Sequence, residues 1–238
     1  YTEVVLDPWN DSYISTRLDA TLPKHPGAKA DGLVSVLEGP KAKEKYEWQV
    51  TDFERPLPKD LVIYELLVRD FHSKKTLQAV IDSLDYLKKL GINAIELMPV
   101  TEFDGNDSWG YNPNHFFAYD KAYGNRNLYK KFIDECHKRG IAVILDMVFN
   151  HATGLNPMNK LYPYGTELAH NPWFNVNAPH SDNVYEDWNH DFAPTKTMFT
   201  RALQYWLTEY KVDGYRMDLS HGLCGTTNNA MTHIADYY

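Results

Sequence analysis

Four apolar segments alternate along the chain with segments of helical periodicity. Apolar side chains recur at helical spacing over 77–87 and 199–210, and a further helix is predicted at about 127–139, with Gly91 and Gly140 as helix stops. Strands are predicted in LVIYELLVRDF, INAIELMPV, IAVILDMVF and VDGYRMDL, the first being continuously apolar like strands buried on both faces of a sheet. Alternating strands and helices predict an α/β fold with a parallel sheet.

The lengths of the connections predict where a site lies. Residues 1–60 are rich in Pro and Lys, with short β-like pieces at 32–37 and 46–50, and we interpret them as a lead-in to the α/β domain at 61–238. The connections after the second and third strands, 99–126 and 147–195, are long and without predicted regular structure. Both follow carboxyl ends of strands, the face where barrels and open α/β sheets place their sites.

Three polar clusters are predicted on that face. SWGYNP follows the second strand, Asp146 with Asn150 and His151 ends the third, and Arg216 and Asp218 alternate with apolar residues in the fourth. Residues two apart in a strand share a face, and an arginine there keeps an aspartate ionised, as a nucleophile must be. Taken singly, each cluster also fits an ordinary ion pair or a hydrogen-bonded polar group. Their coincidence on one face favours a site.

Composition excludes several classes of partner. The 238 residues carry a net charge of −8 without a basic cluster, which argues against nucleic acid. No apolar run approaches the roughly 18 residues that cross a bilayer. Zinc spacings, HExxH and glycine-rich phosphate loops are missing from the sequence.

The two cysteines leave the redox compartment open. The sequence does not assign a localisation, although a secreted, periplasmic or cell-surface protein is favoured.

Several motifs resemble those of one enzyme family. DMVFNH and GYRMD resemble the DxxxNH and GxRxD motifs of the α-amylase family, family 13 of the glycoside hydrolases. GINAIELMPV and SWGYNP are similar to its second-strand region, WGYNP being closest to the pullulanase and debranching branch, and VVLDPWN is similar to the segment before the barrel. The resemblance implies a (β/α)8 TIM-barrel fold, of which 61–238 would hold about the first four β/α units, with a loop insertion at 147–195.

The resemblance also implies roles for single residues. Asp218 would be the nucleophile of a retaining glycosidase, and Arg216 would hold it ionised. His151 would hydrogen-bond the sugar at subsite −1, and Tyr111 would stack on that sugar. Asp146 would brace the arginine.

Further site residues are implied less directly. Trp109, within SWGYNP, is a candidate for substrate binding. Asn150 matches a position that binds calcium in many α-amylases, and Asp191 matches a second, so the resemblance allows calcium but requires no cofactor. After Asp218 the sequence reads LSHG, where many members have Lys-His, which leaves calcium binding and the +2 side of the cleft open.

As a whole, the resemblance implies that the intact protein is a retaining, endo-acting hydrolase of α-1,4 or α-1,6 bonds in starch, glycogen or pullulan. A retaining mechanism needs a second carboxyl group roughly 5 Å from the nucleophile, which the family supplies from a later strand. We expect that strand to lie beyond Tyr238, so these residues alone should be inactive. We also expect an exposed apolar edge beside the first and fourth strands, through which the fragment would self-associate.

Two other hypotheses stay open. The chain is alternatively a non-catalytic α-glucan-binding protein, in which the aromatic residues bind sugar and the carboxylates are structural. An unrelated (β/α)-barrel enzyme is disfavoured, because no lysine falls at a predicted strand end and no pair of histidines marks a metal site.

Overall fold

The computed structural model of the protein describes residues 46–105, 107–120, 122–160, 171–182 and 184–223. The chain forms two compact units, one from residues up to 97 with 117–143, the other from 98–116 with 144 onward. The strands are β1 (Ile63–Leu66), β2 (Ala94–Leu97), β3 (Thr101–Phe103), β4 (Pro113–Tyr119), β5 (Ala142–Met147), β6 (His151–Ala152), β7 (Glu186–Asp187) and β8 (Gly214–Met217). The helices are α1 (Val68–Phe71), α2 (Leu77–Ile81), α3 (Leu84–Lys89), α4 (Arg126–Lys138), α5 (Pro157–Lys160) and α6 (Ala193–Glu209).

The lead-in is described only from residue 46 onward. Residues 46–50, predicted to be β-like, form no strand. The piece predicted at 32–37 lies outside the described residues, and the boundary at residue 60 stays a prediction. No helix of the described part of the chain is both long and apolar enough to span a bilayer.

The first unit contains β1, β2 and the start of β5, in that order. β1 and β2 are parallel, with Ile63 opposite Ala94, and Ala142 at the start of β5 donates its N–H to the Asn93 carbonyl at 2.9 Å. α4 follows the sequence prediction closely. The Asn125 side chain caps it by accepting the Leu128 N–H, and Gly140, with a φ of +66°, ends it.

The first predicted strand is wrong in its length. LVIYELLVRDF forms only the four residues of β1, and α1 follows directly. Val62 and Ile63 are 52% and 46% exposed, so this segment is not buried on both faces. The error has a simple origin, because a short apolar run does not distinguish strand from helix by periodicity.

The helix predicted over 77–87 is divided into α2 and α3. The Ser83 hydroxyl donates a hydrogen bond to the Ala79 carbonyl at 2.9 Å, a bond that competes with the helical ladder where α2 ends. Gly91, with a φ of +85°, follows α3 as the predicted stop.

The second unit contains the rest of β5, paired in parallel with β8. The connections predicted to lack regular structure contain short elements. In 99–126, β3 and the start of β4 form a two-stranded sheet, and in 147–195, β6 and β7 pair antiparallel. Both connections are therefore held in part by strand pairing rather than being open loops.

Candidate active site

The parallel pair of β5 and β8 brings two charged side chains together. Asp146 of β5 lies opposite Arg216 of β8, and the Asp218 N–H donates to the Met147 carbonyl at 3.0 Å. The pairing therefore continues one residue past β8 and places Asp218 at the strand end. The period-two pattern of a strand sets Arg216 and Asp218 on one face, as predicted.

Arg216 bridges two carboxylates of different accessibility. Its Nη1 lies 2.5 Å from Asp218 Oδ1 and 3.0 Å from both carboxylate oxygens of Asp146. The Asp146 side chain is fully buried, whereas 20% of the Asp218 side chain is exposed. The guanidinium thus connects a buried negative charge to one that a ligand can reach.

Tyr111 and His151 extend this network. The Tyr111 hydroxyl donates to Asp146 Oδ2 at 2.7 Å, and the Tyr111 carbonyl accepts from His151 Nε2 at 2.8 Å. The Asn150 amide nitrogen lies 2.6 Å from His151 Nδ1, which must then be the acceptor. His151 is therefore the neutral tautomer with its proton on Nε2.

The electrostatics follow from burial. Burial raises the pKa of Asp146 to about 6, against the hydrogen bonds from Tyr111 and Arg216. Burial also lowers the pKa of His151, in keeping with a neutral ring. For Arg216 burial opposes the charge, but the hydrogen bonds to Asp218 and Asp146 outweigh it and raise its pKa. Burial and the bond to Asp146 raise the pKa of the Tyr111 hydroxyl, which stays a proton donor at neutral pH.

A tight turn in SWGYNP positions Tyr111. Gly110 has a φ of +92°, and a Cβ there would lie 2.4 Å from the Pro99 carbonyl oxygen. The Gly110 N–H donates to the Ser108 hydroxyl at 3.0 Å, which donates in turn to Asn112 Oδ1. Only glycine fits this close approach, which explains why the residue before Tyr111 is a glycine.

Comparisons with known proteins decide the family. Residues 69–197 match the family model described as alpha amylase, catalytic domain. The chain is 37% identical over 195 residues to malto-oligosyltrehalose trehalohydrolase of Saccharolobus solfataricus, covering 80% of this chain and 32% of that protein. The chain belongs to the α-amylase family. It is also 31% identical over 254 residues to isoamylase SU1, chloroplastic, of Zea mays, covering 92% of this chain and 31% of that protein.

Solved structures of the α-amylase family confirm the fold class. Pullulanase type I from Bacillus subtilis superposes with a TM-score of 0.70 at 25% identity, over 99% of this chain and 34% of that one. A putative α-amylase from Salmonella typhimurium superposes with a TM-score of 0.60 at 32% identity, over 73% of this chain and 28% of that one. The predicted α/β fold of TIM-barrel type is therefore correct. The chain spans about a third of the length of the relatives it matches.

Two residues predicted to bind sugar, His151 and Trp109, differ in their place at the family site: His151 lies within the hydrogen-bond network, whereas Trp109 is largely exposed. Both ring nitrogens of His151 are engaged, so a bond from His151 to a sugar requires Nε2 to release the Tyr111 carbonyl. Trp109 is 58% exposed. Its role in substrate binding, like the stacking role of Tyr111, stays a prediction.

The residues proposed for calcium form at most part of a site. The side-chain oxygen of Asn150 is buried and has no hydrogen-bond partner among the described residues, which suits a cation ligand. Asp191, by contrast, is exposed. The described part of the chain holds no group of three or more His, Cys, Asp or Glu side chains able to bind a metal. Calcium therefore stays a prediction, with Asn150 as the better-suited of the two ligands.

The LSHG sequence after Asp218, which differs from the Lys-His of many family members, is sterically constrained. A Cβ at Gly222 would lie 2.6 Å from the Asn150 Cβ, so a larger residue there would displace Asn150 and with it His151. The neighbouring His221 is bonded through Nδ1 to Asp182 at 2.7 Å. Close packing against Asn150 therefore favours glycine at 222, and the bond to Asp182 holds His221.

One residue at the site escaped the sequence analysis. Tyr185, in the long connection after β5, stacks on His151 with ring centroids 5.3 Å apart and an interplanar angle of 29°. Its segment, DNVYEDWNH, carries no motif and no periodicity. The only available signal was an aromatic residue in a long loop at the carboxyl end of a strand, and several other residues share that signal.

Proposed function

We propose that the protein is a retaining, endo-acting α-glucan hydrolase whose nucleophile is Asp218. The observation that carries the proposal is the Arg216 bridge between an accessible and a buried carboxylate at the ends of two parallel strands. Membership of the α-amylase family and relatives named trehalohydrolase, isoamylase and pullulanase support an α-glucan as substrate.

Accessibility supports Asp218 rather than Asp146 as the nucleophile. A pKa of about 6 would suit Asp146 for proton transfer, but its side chain is fully buried and both of its oxygens are hydrogen-bonded. It cannot reach a sugar without dismantling the network. Asp218 is reachable, and Arg216 occupies its Oδ1, so we assign the attack to Oδ2.

The proposed reaction proceeds in two displacements. Asp218 attacks the anomeric carbon through an oxocarbenium-like transition state while the glycosidic bond breaks and its oxygen takes a proton from the general acid. Water, deprotonated by the same group, then displaces Asp218 from the covalent glycosyl-enzyme. Arg216 orients the nucleophile and balances the buried charge of Asp146. The general acid/base must lie about 5 Å from Asp218. We assign it to a residue outside these 238, in line with the share of the relatives that the chain spans.

The test compares Asp218→Asn with the protein at its full encoded length on starch, glycogen and pullulan. We expect reducing-end release to fall by about 10⁴-fold or more, because no other group replaces the nucleophile. Asp52→Asn, at an exposed position of the first unit, is the matched control and should leave activity unchanged. An activated fluorosugar should trap a covalent adduct on Asp218, and the 238 residues alone should release no reducing ends.

Two results would contradict the proposal. Full activity of Asp218→Asn would remove the nucleophile assignment. Tight binding of α-glucans by a full-length protein that cleaves none of them would favour the non-catalytic binding protein. A preference for pullulan over starch, or the reverse, would assign the linkage.

We also propose that the 238 residues self-associate when they are produced alone. β1 is an edge strand among the described residues, and Val62 just before it and Ile63, its first residue, are 52% and 46% exposed. Exposed apolar edges pair with other chains. Light scattering that finds a monodisperse monomer would contradict this expectation, whereas a dimer that dissociates on Ile63→Lys would support it.

A further inference from the structure

Tyr185 has an unusual combination of conformation and exposure. Its φ is +48°, a region that bulky residues rarely adopt, yet 63% of the residue is exposed to solvent. One face of the ring contacts His151. An exposed aromatic side chain with one covered face contributes little to a core, so packing alone does not explain why the strained backbone is kept.

The surrounding segment holds this conformation in place. β7 begins directly after Tyr185 and pairs with β6, so that Asp187 lies opposite His151. The buried Asp187 carboxylate is bonded to His180 Nε2 at 2.9 Å and to Asn175 Nδ2 at 2.7 Å. The backbone on one side of Tyr185 is therefore anchored by a strand ladder and a buried polar network, which hold this part of the chain next to His151.

We infer that Tyr185 is a substrate-binding residue whose exposed ring face stacks on the glucosyl unit next to the one that reacts at Asp218. This inference rests on the proposed function. The two rings are stacked, and the His151 nitrogens are bonded to Asn150 and to the Tyr111 carbonyl, so the Tyr185 ring lies beside the hydrogen-bond network. Val184, the residue before Tyr185, is also exposed, at 41%, which adds apolar surface next to the ring.

The experiment measures binding of maltoheptaose by calorimetry in the full-length protein carrying Asp218→Asn, so that hydrolysis does not interfere. Tyr185→Ala and Tyr185→Gly should each weaken binding about 10-fold, the size of a lost stacking contact. Tyr185→Phe keeps the ring and should stay within about 2-fold. Tyr86→Ala, which removes a 58% exposed tyrosine from α3 of the first unit, is the matched control and should bind unchanged.

Thermal denaturation separates binding from a structural role. Glycine adopts positive φ without strain, so Tyr185→Gly should melt at or above the temperature of the parent while losing affinity. A ring that only supports His151 would instead lower the melting temperature in both the Gly and Ala variants and leave affinity unchanged, which would overturn the inference.

The remaining outcomes distinguish this inference from the proposed function. In the catalytically intact protein, Tyr185→Ala should raise KM about 10-fold and change kcat less. Parent protein that cleaves α-glucans while Tyr185→Ala keeps its KM and its affinity overturns the inference alone. Parent protein that neither binds nor cleaves an α-glucan overturns both.

Discussion

Asp134 in the first unit and Asp146 in the second are both fully buried aspartates that accept a bond from a tyrosine hydroxyl. Asp134 is satisfied by neutral donors, the hydroxyl of Tyr46 at 2.9 Å and the N–H groups of Gln49 and Val50 at 3.0 and 2.9 Å. Asp146 receives a guanidinium instead, and that guanidinium is shared with an accessible carboxylate.

Burial of a carboxylate therefore does not by itself identify a functional site. The network of Asp134 is closed, and its effect is to fasten the segment at residues 46–50 to α4. The network of Asp146 is open, because Arg216 connects it to Asp218 at a strand end. In both places burial and the carboxylate raise the pKa of the tyrosine, Tyr46 or Tyr111. The two carboxylates thus have similar tyrosine partners, and the difference is that Arg216 links Asp146 to the accessible Asp218.

Removing the shared cation should give the largest effect. Arg216→Ala removes the cationic partner of the buried Asp146 and leaves it the Tyr111 hydroxyl, and we expect the free energy of unfolding to fall by about 3–5 kcal/mol. Activity should fall about 100- to 1,000-fold, because Asp218 loses its orienting partner. Arg139→Ala in the first unit, which breaks surface pairs with Asp85 and Glu135, is the control and should cost about 1 kcal/mol or less. Equal costs in denaturant titrations would contradict the comparison.

The pH dependence of stability should come next in size. Burial raises the pKa of Asp146 from 3.8 to about 6, so between these values the folded protein binds more protons there than the unfolded chain does. The free energy of unfolding therefore decreases as pH rises through this window. The contribution is about 3 kcal/mol, present below about pH 4 and lost above about pH 6.

The measurement is the difference in unfolding free energy between the wild-type protein and Asp146→Asn, taken from about pH 4 to pH 7. The contributions of other carboxylates cancel in this difference. The stability of the wild-type protein relative to Asp146→Asn should therefore decrease as pH rises. A difference that does not change with pH would show that Asp146 has an ordinary pKa.

Exchanging each aspartate for asparagine should separate stability from activity. Asp134→Asn places an amide N–H₂ against donors that need an acceptor, so we expect a loss of about 1–3 kcal/mol in unfolding free energy and unchanged kcat. Asp146→Asn should lower kcat at neutral pH, since Arg216 is then shared by one carboxylate fewer. The comparison fails if the two variants lose activity equally.

The smallest effect is expected from the two tyrosines. Tyr46→Phe and Tyr111→Phe each remove one hydroxyl from a buried carboxylate, which should cost about 1 kcal/mol of stability in either unit. Only Tyr111→Phe should also change the rate of hydrolysis. A Tyr46→Phe variant with altered kcat would mean that the closed network reaches the site after all.

Neighbours along the chain are enough to specify one part of this protein. Helical periodicity and a positive-φ glycine define α4, and Gly91 ends α3. The alternation in GYRMD sets Arg216 and Asp218 on one face. The motifs after the strands indicate the α-amylase family without further information, because each depends on only a few adjacent residues.

Partners that are distant in the sequence specify the rest, and these only the folded chain brings together. The bond from Tyr111 to Asp146 joins residues 35 apart, and that from Tyr46 to Asp134 joins residues 88 apart, so the sequence did not reveal the tyrosine partner of either aspartate. The shortness of β1, the paired strands inside the long connections and the stacking of Tyr185 on His151 have the same origin. Local sequence patterns specify on which face of a strand or helix a residue lies. Only long-range packing specifies which residues it contacts there.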